Sequence, residues 1–159
     1  MPEFYKMVLR YRFHKEILKD GSVAYRPLVL VDISYDNNHL PFNVAALLDS
    51  GCDVTIIPES FAKLIKLKEY QETELIAYRE RTKVKTSKAD ITFLGKVTRE
   101  NIKLSSVPVF ITPENDDKFL PEVVIGVRGI FDKFEIKFNL GQNRIELKKI
   151  DTLRRKLYY

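Results

Sequence analysis

Apolar positions in this chain fall in short runs, rich in β-branched and aromatic residues and bounded by turn formers, a pattern of strands rather than long helices. The runs are Phe4 to Arg12, Leu28 to Ser34, Phe42 to Leu48, Thr55 to Ile57, Glu74 to Tyr78, Lys83 to Lys85, Ile91 to Leu94, Val107 to Ile111, Val123 to Ile125, Phe134 to Phe138 and Arg144 to Leu147. Turns at Lys19-Asp20-Gly21-Ser22, Tyr35-Asp36-Asn37-Asn38 and Asn139-Leu140-Gly141-Gln142-Asn143 place Gly or Asn where positive φ is cheap, so each is predicted to close a hairpin. One helix is predicted from Pro58 to about Lys68, with Phe61, Leu64 and Ile65 on one face. Past Asp151, Leu153 and Leu157 lie four apart among basic residues, a short-helix signal. The expectation is a mainly β protein with one or two short helices. No repeat, low-complexity tract or linker divides it, so residues 1–159 read as a single domain.

Composition narrows the class. At 159 residues the chain fits one core, and 45% hydrophobic against 31% charged residues is enough apolar material to fold unaided. The lone cysteine rules out an internal disulfide, and the N-terminus has no secretory pattern. No apolar run approaches the roughly 18 residues of a membrane span, so a soluble, cytoplasmic protein is expected. A net charge of +5 permits weak attraction to polyanions. Acidic residues nevertheless interrupt most of the basic runs at Lys63 to Lys68, Arg79 to Lys88 and Lys148 to Lys156, which argues against nucleic acid as a partner.

Chemistry concentrates in Val44-Ala45-Ala46-Leu47-Leu48-Asp49-Ser50-Gly51-Cys52, where an apolar strand runs into a carboxylate, a hydroxyl and a glycine. A carboxylate at the end of a buried strand is partly desolvated and seeks donors, or shares a proton with another acid. Gly51 lets the backbone approach Asp49, and the Ser50 hydroxyl can tie the loop down, which matters because catalytic groups tolerate little misplacement. Asp-Ser-Gly alone is common wherever a strand ends in a turn. Other chemistries fit less well. Cys52 lacks a base at any recognisable spacing from His14 or His39, two histidines and one cysteine are too few for zinc, and Ser50 is not in a Gly-x-Ser-x-Gly setting. No metal or cofactor is expected.

The surroundings make the motif specific. Arg26-Pro27-Leu28-Val29 opens a strand that turns back through Ala46-Leu47-Leu48-Asp49-Ser50-Gly51 and on to Pro58, and this run resembles the pattern of retroviral proteases. Downstream, Val123-Val124-Ile125-Gly126 resembles the paired apolar residues and glycine that the family places beneath its catalytic loop. Gly129 to Phe138, ending in Arg144-Ile145-Glu146-Leu147, resembles the short helix and strand of prokaryotic retropepsin-like proteins. The resemblance covers about residues 26–147 and implies a closed six-stranded acid-protease barrel.

It also implies an activity: aspartic endopeptidase, with Asp49 catalytic and Ser50, Gly51 and Gly126 supporting its loop. The family needs two facing aspartates and this sequence offers one such motif, so the resemblance implies a homodimer with an Asp49 from each chain on the two-fold axis. Two carboxyls about 3 Å apart share one proton, giving an acid and a base that activate water against a peptide carbonyl, with activity on the acidic side of neutrality. A flap is implied between Leu75 and Thr86, though charged where retroviral flaps are glycine-rich. Asp53, Tyr78, Ile125 and Arg128 are candidate cleft or flap residues, with an Asp53–Arg128 pair as one arrangement. The alternative reading is a non-catalytic peptide-binding or dimerisation module on the same barrel.

Overall fold

A computed structural model describes residues 7–77, 80–114 and 122–150. Its strands are β1 (Val8–Tyr11), β2 (His14–Ile17), β3 (Val23–Arg26), β4 (Leu28–Tyr35), β5 (Asn38–His39), β6 (Val44–Leu48), β7 (Thr55–Pro58), β8 (Glu72–Ala77), β9 (Glu80–Phe93), β10 (Ile102–Thr112), β11 (Val124–Ile125), β12 (Phe134–Asn139) and β13 (Arg144–Lys149). The helix α1 spans Glu59–Leu64, and short 3-10 turns cover Thr98–Glu100 and Leu140–Gln142. Among the described residues no helix is long and apolar enough to cross a membrane.

The main sheet closes on itself. Its order β4-β6-β11-β7-β10-β9 is completed by pairing of β9 with β4, giving the six-stranded barrel. β5 and β8 extend from the ring as the outer halves of hairpins with β4 and β9. Closure removes the exposed edges that an open sheet would present. A separate three-stranded antiparallel sheet, β1-β13-β12, joins the two ends of the described chain. Phe134 of that sheet packs edge-on against Phe93 of the barrel, with ring centroids 5.1 Å apart, so both share one core.

The three predicted turns all close hairpins: β2–β3, β4–β5 and β12–β13. Asp36 and Asn37 have φ of 49° and 62°, the two left-handed residues that a tight hairpin turn requires. Two expectations need correction. The runs Lys83 to Lys85 and Ile91 to Leu94 belong to one strand, β9. The polar stretch between them stays extended because Ser87 is buried and its hydroxyl donates to the Lys68 carbonyl, while Thr86 exchanges backbone bonds with Tyr70 and Gln71. The helix is shorter than predicted and turned differently: Pro58 is its N-cap, Ala62 and Ile65 are buried, and Leu64 is 54% exposed. The expected strand start at Phe4, the helical tail past Asp151 and Tyr78 lie outside the described residues.

Candidate active site

β6 is buried at Val44, Ala46 and Leu48, and it delivers Asp49 to the rim of the barrel. Neighbours on both sides fix its course. Leu48 N–H donates to the Pro27 carbonyl at 2.9 Å, Leu47 N–H to Val123 at 2.9 Å, and Asp49 N–H to Ile125 at 3.0 Å. With its main chain held by strands, the carboxylate projects from a loop tightened by the Cys52 N–H bonding back to the Asp49 carbonyl at 3.3 Å.

Gly51 N–H donates to Asp49 Oδ1 at 2.8 Å, a charge-assisted bond that fixes the side-chain rotamer. A Cβ at Gly51 would sit 3.2 Å from that oxygen, so glycine leaves the approach unobstructed. Asp49 is half-buried, and among the described residues no hydrogen bond reaches its Oδ2. Ser50 is exposed beside it. The carboxylate thus has one oxygen anchored by the loop and the other open to whatever approaches the rim.

Gly126 locks the loop from below. A Cβ there would lie 2.6 Å from the Val54 carbonyl carbon and 2.8 Å from the carbonyl oxygens of Cys52 and Val54, so no other residue fits without moving backbone. Its N–H donates to Thr55 Oγ1 at 3.1 Å, and Val127 N–H donates to the Cys52 carbonyl at 2.8 Å. Thr55, predicted only as a strand residue, is fully buried. Its signal was a hydroxyl within the apolar run Val54 to Ile57, which needs a partner once buried.

Asp53 and Arg128 are joined differently from the expected ion pair. Arg128 N–H donates to the Asp53 carbonyl at 2.8 Å, both residues are exposed, and no salt bridge links their side chains among the described residues. The backbone already satisfies the contact, which leaves the charged groups to solvent. Ile125, expected in the cleft, is fully buried; its side chain belongs to the core and its carbonyl receives Asp49 N–H. Pairing puts its neighbour Val124 on the opposite face, beside Leu47.

That register reveals a feature absent from the sequence reading. Leu28 pairs with Leu47, Leu47 with Val124, Val124 with Ile56, and Ile56 with Phe110. Directly paired residues share a sheet face, and all five are half-buried, so they form one apolar band across β4, β6, β11, β7 and β10. The runs Val44 to Leu48 and Val123 to Ile125 are continuously apolar, so periodicity alone could not tell which residues face inward.

The β8–β9 hairpin occupies the expected flap segment, with Ala77 opposite Glu80. One of its faces carries ion pairs Arg81–Glu74 at 3.6 Å and Lys83–Glu72 at 3.7 Å, continued by Lys85–Glu69 at 2.8 Å. Cys52 is half-buried and its thiol contacts the Val54 carbonyl at 3.1 Å. Burial raises its pKa, and the charges of Asp49 and Asp53 push the same way, so the thiol stays protonated at neutral pH. Among the described residues no three His, Cys, Asp or Glu side chains gather as a metal site would need.

Comparison with known proteins agrees with this architecture. Among solved structures, a retropepsin-like aspartic protease from Rickettsia conorii superposes with a TM-score of 0.50 at 13% identity, covering 94% of this chain and 97% of that one. The EIAV protease, solved with an inhibitor, gives 0.43 at 22% identity over 64% of this chain and 81% of its own. The retroviral protease-like domain of Ddi1 from Leishmania major gives 0.46 at 11% identity, over 78% and 94%. None of the curated proteins matches the sequence. At such identities the Rickettsia structure speaks for the fold alone. The sequence profile described as aspartyl protease, however, matches residues 31–128, a stretch that takes in Asp49, Gly51, Thr55 and Gly126. The chain belongs to the aspartyl protease family.

Proposed function

We propose that the protein is an aspartic endopeptidase that works as a homodimer, each chain supplying one Asp49. The observation that carries this reading is the state of that carboxylate. It is held by Gly51 N–H on one oxygen, backed by a loop that only glycine at 126 can accommodate, and left half-exposed at the rim with its second oxygen unengaged among the described residues. A structural aspartate has no need of such exact support combined with an open face, whereas a catalytic group needs both.

In the dimer the two Asp49 carboxyls meet on the two-fold axis and share one proton. The ionised carboxyl takes a proton from water as it attacks the scissile carbonyl carbon. The protonated one donates to the carbonyl oxygen, giving a tetrahedral diol. Proton transfer to the leaving nitrogen then breaks the C–N bond. Gly51 N–H keeps the carboxyls in place throughout, and Ser50 is suited to bond across the interface. The band from Leu28 to Phe110 supplies the apolar floor for substrate side chains, and the β8–β9 hairpin covers it. Among the described residues the three-stranded terminal sheet has unpaired edges at β1 and β12, which support extension across the same axis.

The test is incubation of purified protein with a denatured polypeptide across roughly pH 3 to 7, beside an Asp49→Asn control. Cleavage on the acidic side that disappears in the control is expected. Cleavage that persists in the control, or none at all in the wild type, would remove the catalytic reading and leave a peptide-binding or dimerisation module.

A further inference from the structure

The β2–β3 hairpin is turned the wrong way for a piece of a monomer. Among the described residues its strands pair only with each other and lie outside both other sheets. The register sets His14 opposite Arg26, Lys15 opposite Tyr25, Glu16 opposite Ala24 and Ile17 opposite Val23. One face therefore carries His14, Glu16, Ala24 and Arg26, and the other carries Lys15, Ile17, Val23 and Tyr25. The polar face meets the body: Ala24 and Arg26 are half-buried, and Arg26 pairs with Glu122, just ahead of β11, and with Glu16 at 3.7 Å. The apolar face is the one in solvent, with Ile17 73%, Val23 44% and Tyr25 49% exposed, and Leu18 at the turn 43% exposed.

A lone two-stranded hairpin is marginal in water, and one that turns its apolar side to solvent buries little apolar surface against the body it grows out of. From these observations we infer that the apolar face of the β2–β3 hairpin is an assembly arm that packs against a second copy of this chain. The inference rests on the homodimer reading above and deepens it. Position selects the occupant. β3 passes through Pro27 into β4, and the Pro27 carbonyl holds the N–H of Leu48, the residue before Asp49. The arm is thus rooted one hydrogen bond from the point where the second copy's Asp49 loop must arrive. From Arg26 its four paired residues extend about 13 Å outward, enough to reach across an adjoining subunit surface. A two-fold axis through the Asp49 pair uses both arms equally, each copy giving and receiving one.

The test replaces Ile17, Val23 and Tyr25 together by threonine (Ile17→Thr/Val23→Thr/Tyr25→Thr), which removes apolar surface while keeping strand propensity. Sedimentation across a concentration series gives the dimer dissociation constant, and amide exchange over residues 14–26 reports whether the hairpin persists. Wild type should dimerise with these amides protected more in the dimer than in the monomer, and the triple variant's constant should rise about tenfold or more. Activity per dimer should be unchanged at concentrations where the variant is fully assembled. A variant that pairs as tightly as wild type overturns the arm while leaving the Asp49 pairing standing. A fully dimeric variant that has lost activity also overturns it, assigning the hairpin to substrate. Wild type that stays monomeric at every concentration refutes the pairing itself, and the arm with it.

Discussion

Replacing Gly126 by alanine tests the support beneath Asp49 most sharply. The added methyl would lie 2.6 Å from the Val54 carbonyl carbon, where ordinary contact begins at 3.4 Å, so the strand ends must separate by about 0.8 Å. Both obstructing groups are backbone, held by the bonds from Gly126 N–H to Thr55 and from Val127 N–H to Cys52, so neither can rotate away. Overpacking of this kind costs about 1 to 3 kcal/mol, and weakening one buried hydrogen bond adds about 1. At roughly 2 to 4 °C per kcal/mol for a chain of this size, Gly126→Ala should melt about 5 to 15 °C below wild type. Gly141→Ala is the control, because the nearest atom to its new Cβ is 3.7 Å away, and it should stay within about 0.5 kcal/mol. Urea denaturation with unchanged m-values would establish that the native state is what suffered. A displacement near 1 Å should also lower peptide cleavage about 100-fold in molecules that remain folded. If Gly126→Ala melts with wild type and cleaves normally, the wedge between the strand ends has no energetic meaning and the reasoning fails.

Three further outcomes follow from named contacts. Thr55→Val keeps the buried shape but leaves Gly126 N–H without its acceptor, and should cost about 1 to 3 kcal/mol by urea titration, with Thr55→Ser recovering most of it. Burial holds the Tyr11 hydroxyl well above its ordinary pKa while it donates to the Leu94 carbonyl at 2.9 Å. The folded state therefore favours the neutral phenol, and its stabilisation is complete below about pH 10 and is lost as pH rises toward the folded value. Tyr11→Phe should cost about 1 kcal/mol at neutral pH and flatten that alkaline loss in a pH series of melting curves. On the exposed face of the β8–β9 hairpin, Glu74→Gln breaks the 3.6 Å pair with Arg81 yet should change stability by less than about 1 kcal/mol, since both groups remain largely solvated; a larger loss would give the ion-pair ladder a structural weight that surface pairs seldom have.

Short-range pattern carried much of the architecture. Turn chemistry located three hairpins, and the apolar runs located the barrel strands, because those features are written in neighbouring residues. What escaped was set by packing between distant segments. β9 looked broken because Ser87 is polar, and only the Lys68 carbonyl, brought to it by the fold, makes burial there tolerable. Leu64 seemed a core position by helical spacing, but α1 ends before that face is needed and Ile65 takes the buried place. The motif around Asp49 was legible as a motif, together with the glycine far downstream that supports it. The inward course of Ile125, expected in the cleft, was not, since adjacent apolar residues in a continuous run are told apart only by the register that β6 imposes. The expected Asp53–Arg128 ion pair failed for a related reason: the sequence brought the right residues together, but a backbone bond does the joining.

The central claim is that catalysis needs an Asp49 from each of two chains. It is tested most directly by mixing wild type with Asp49→Asn at constant total protein, allowing exchange, and measuring peptide cleavage against the wild-type fraction. Random pairing leaves about one quarter of dimers with both aspartates in an equal mixture, so activity should fall with the square of that fraction, to about a quarter of the all-wild-type value. A straight-line fall, to about half in the same mixture, would mean that each chain acts alone and would contradict the account.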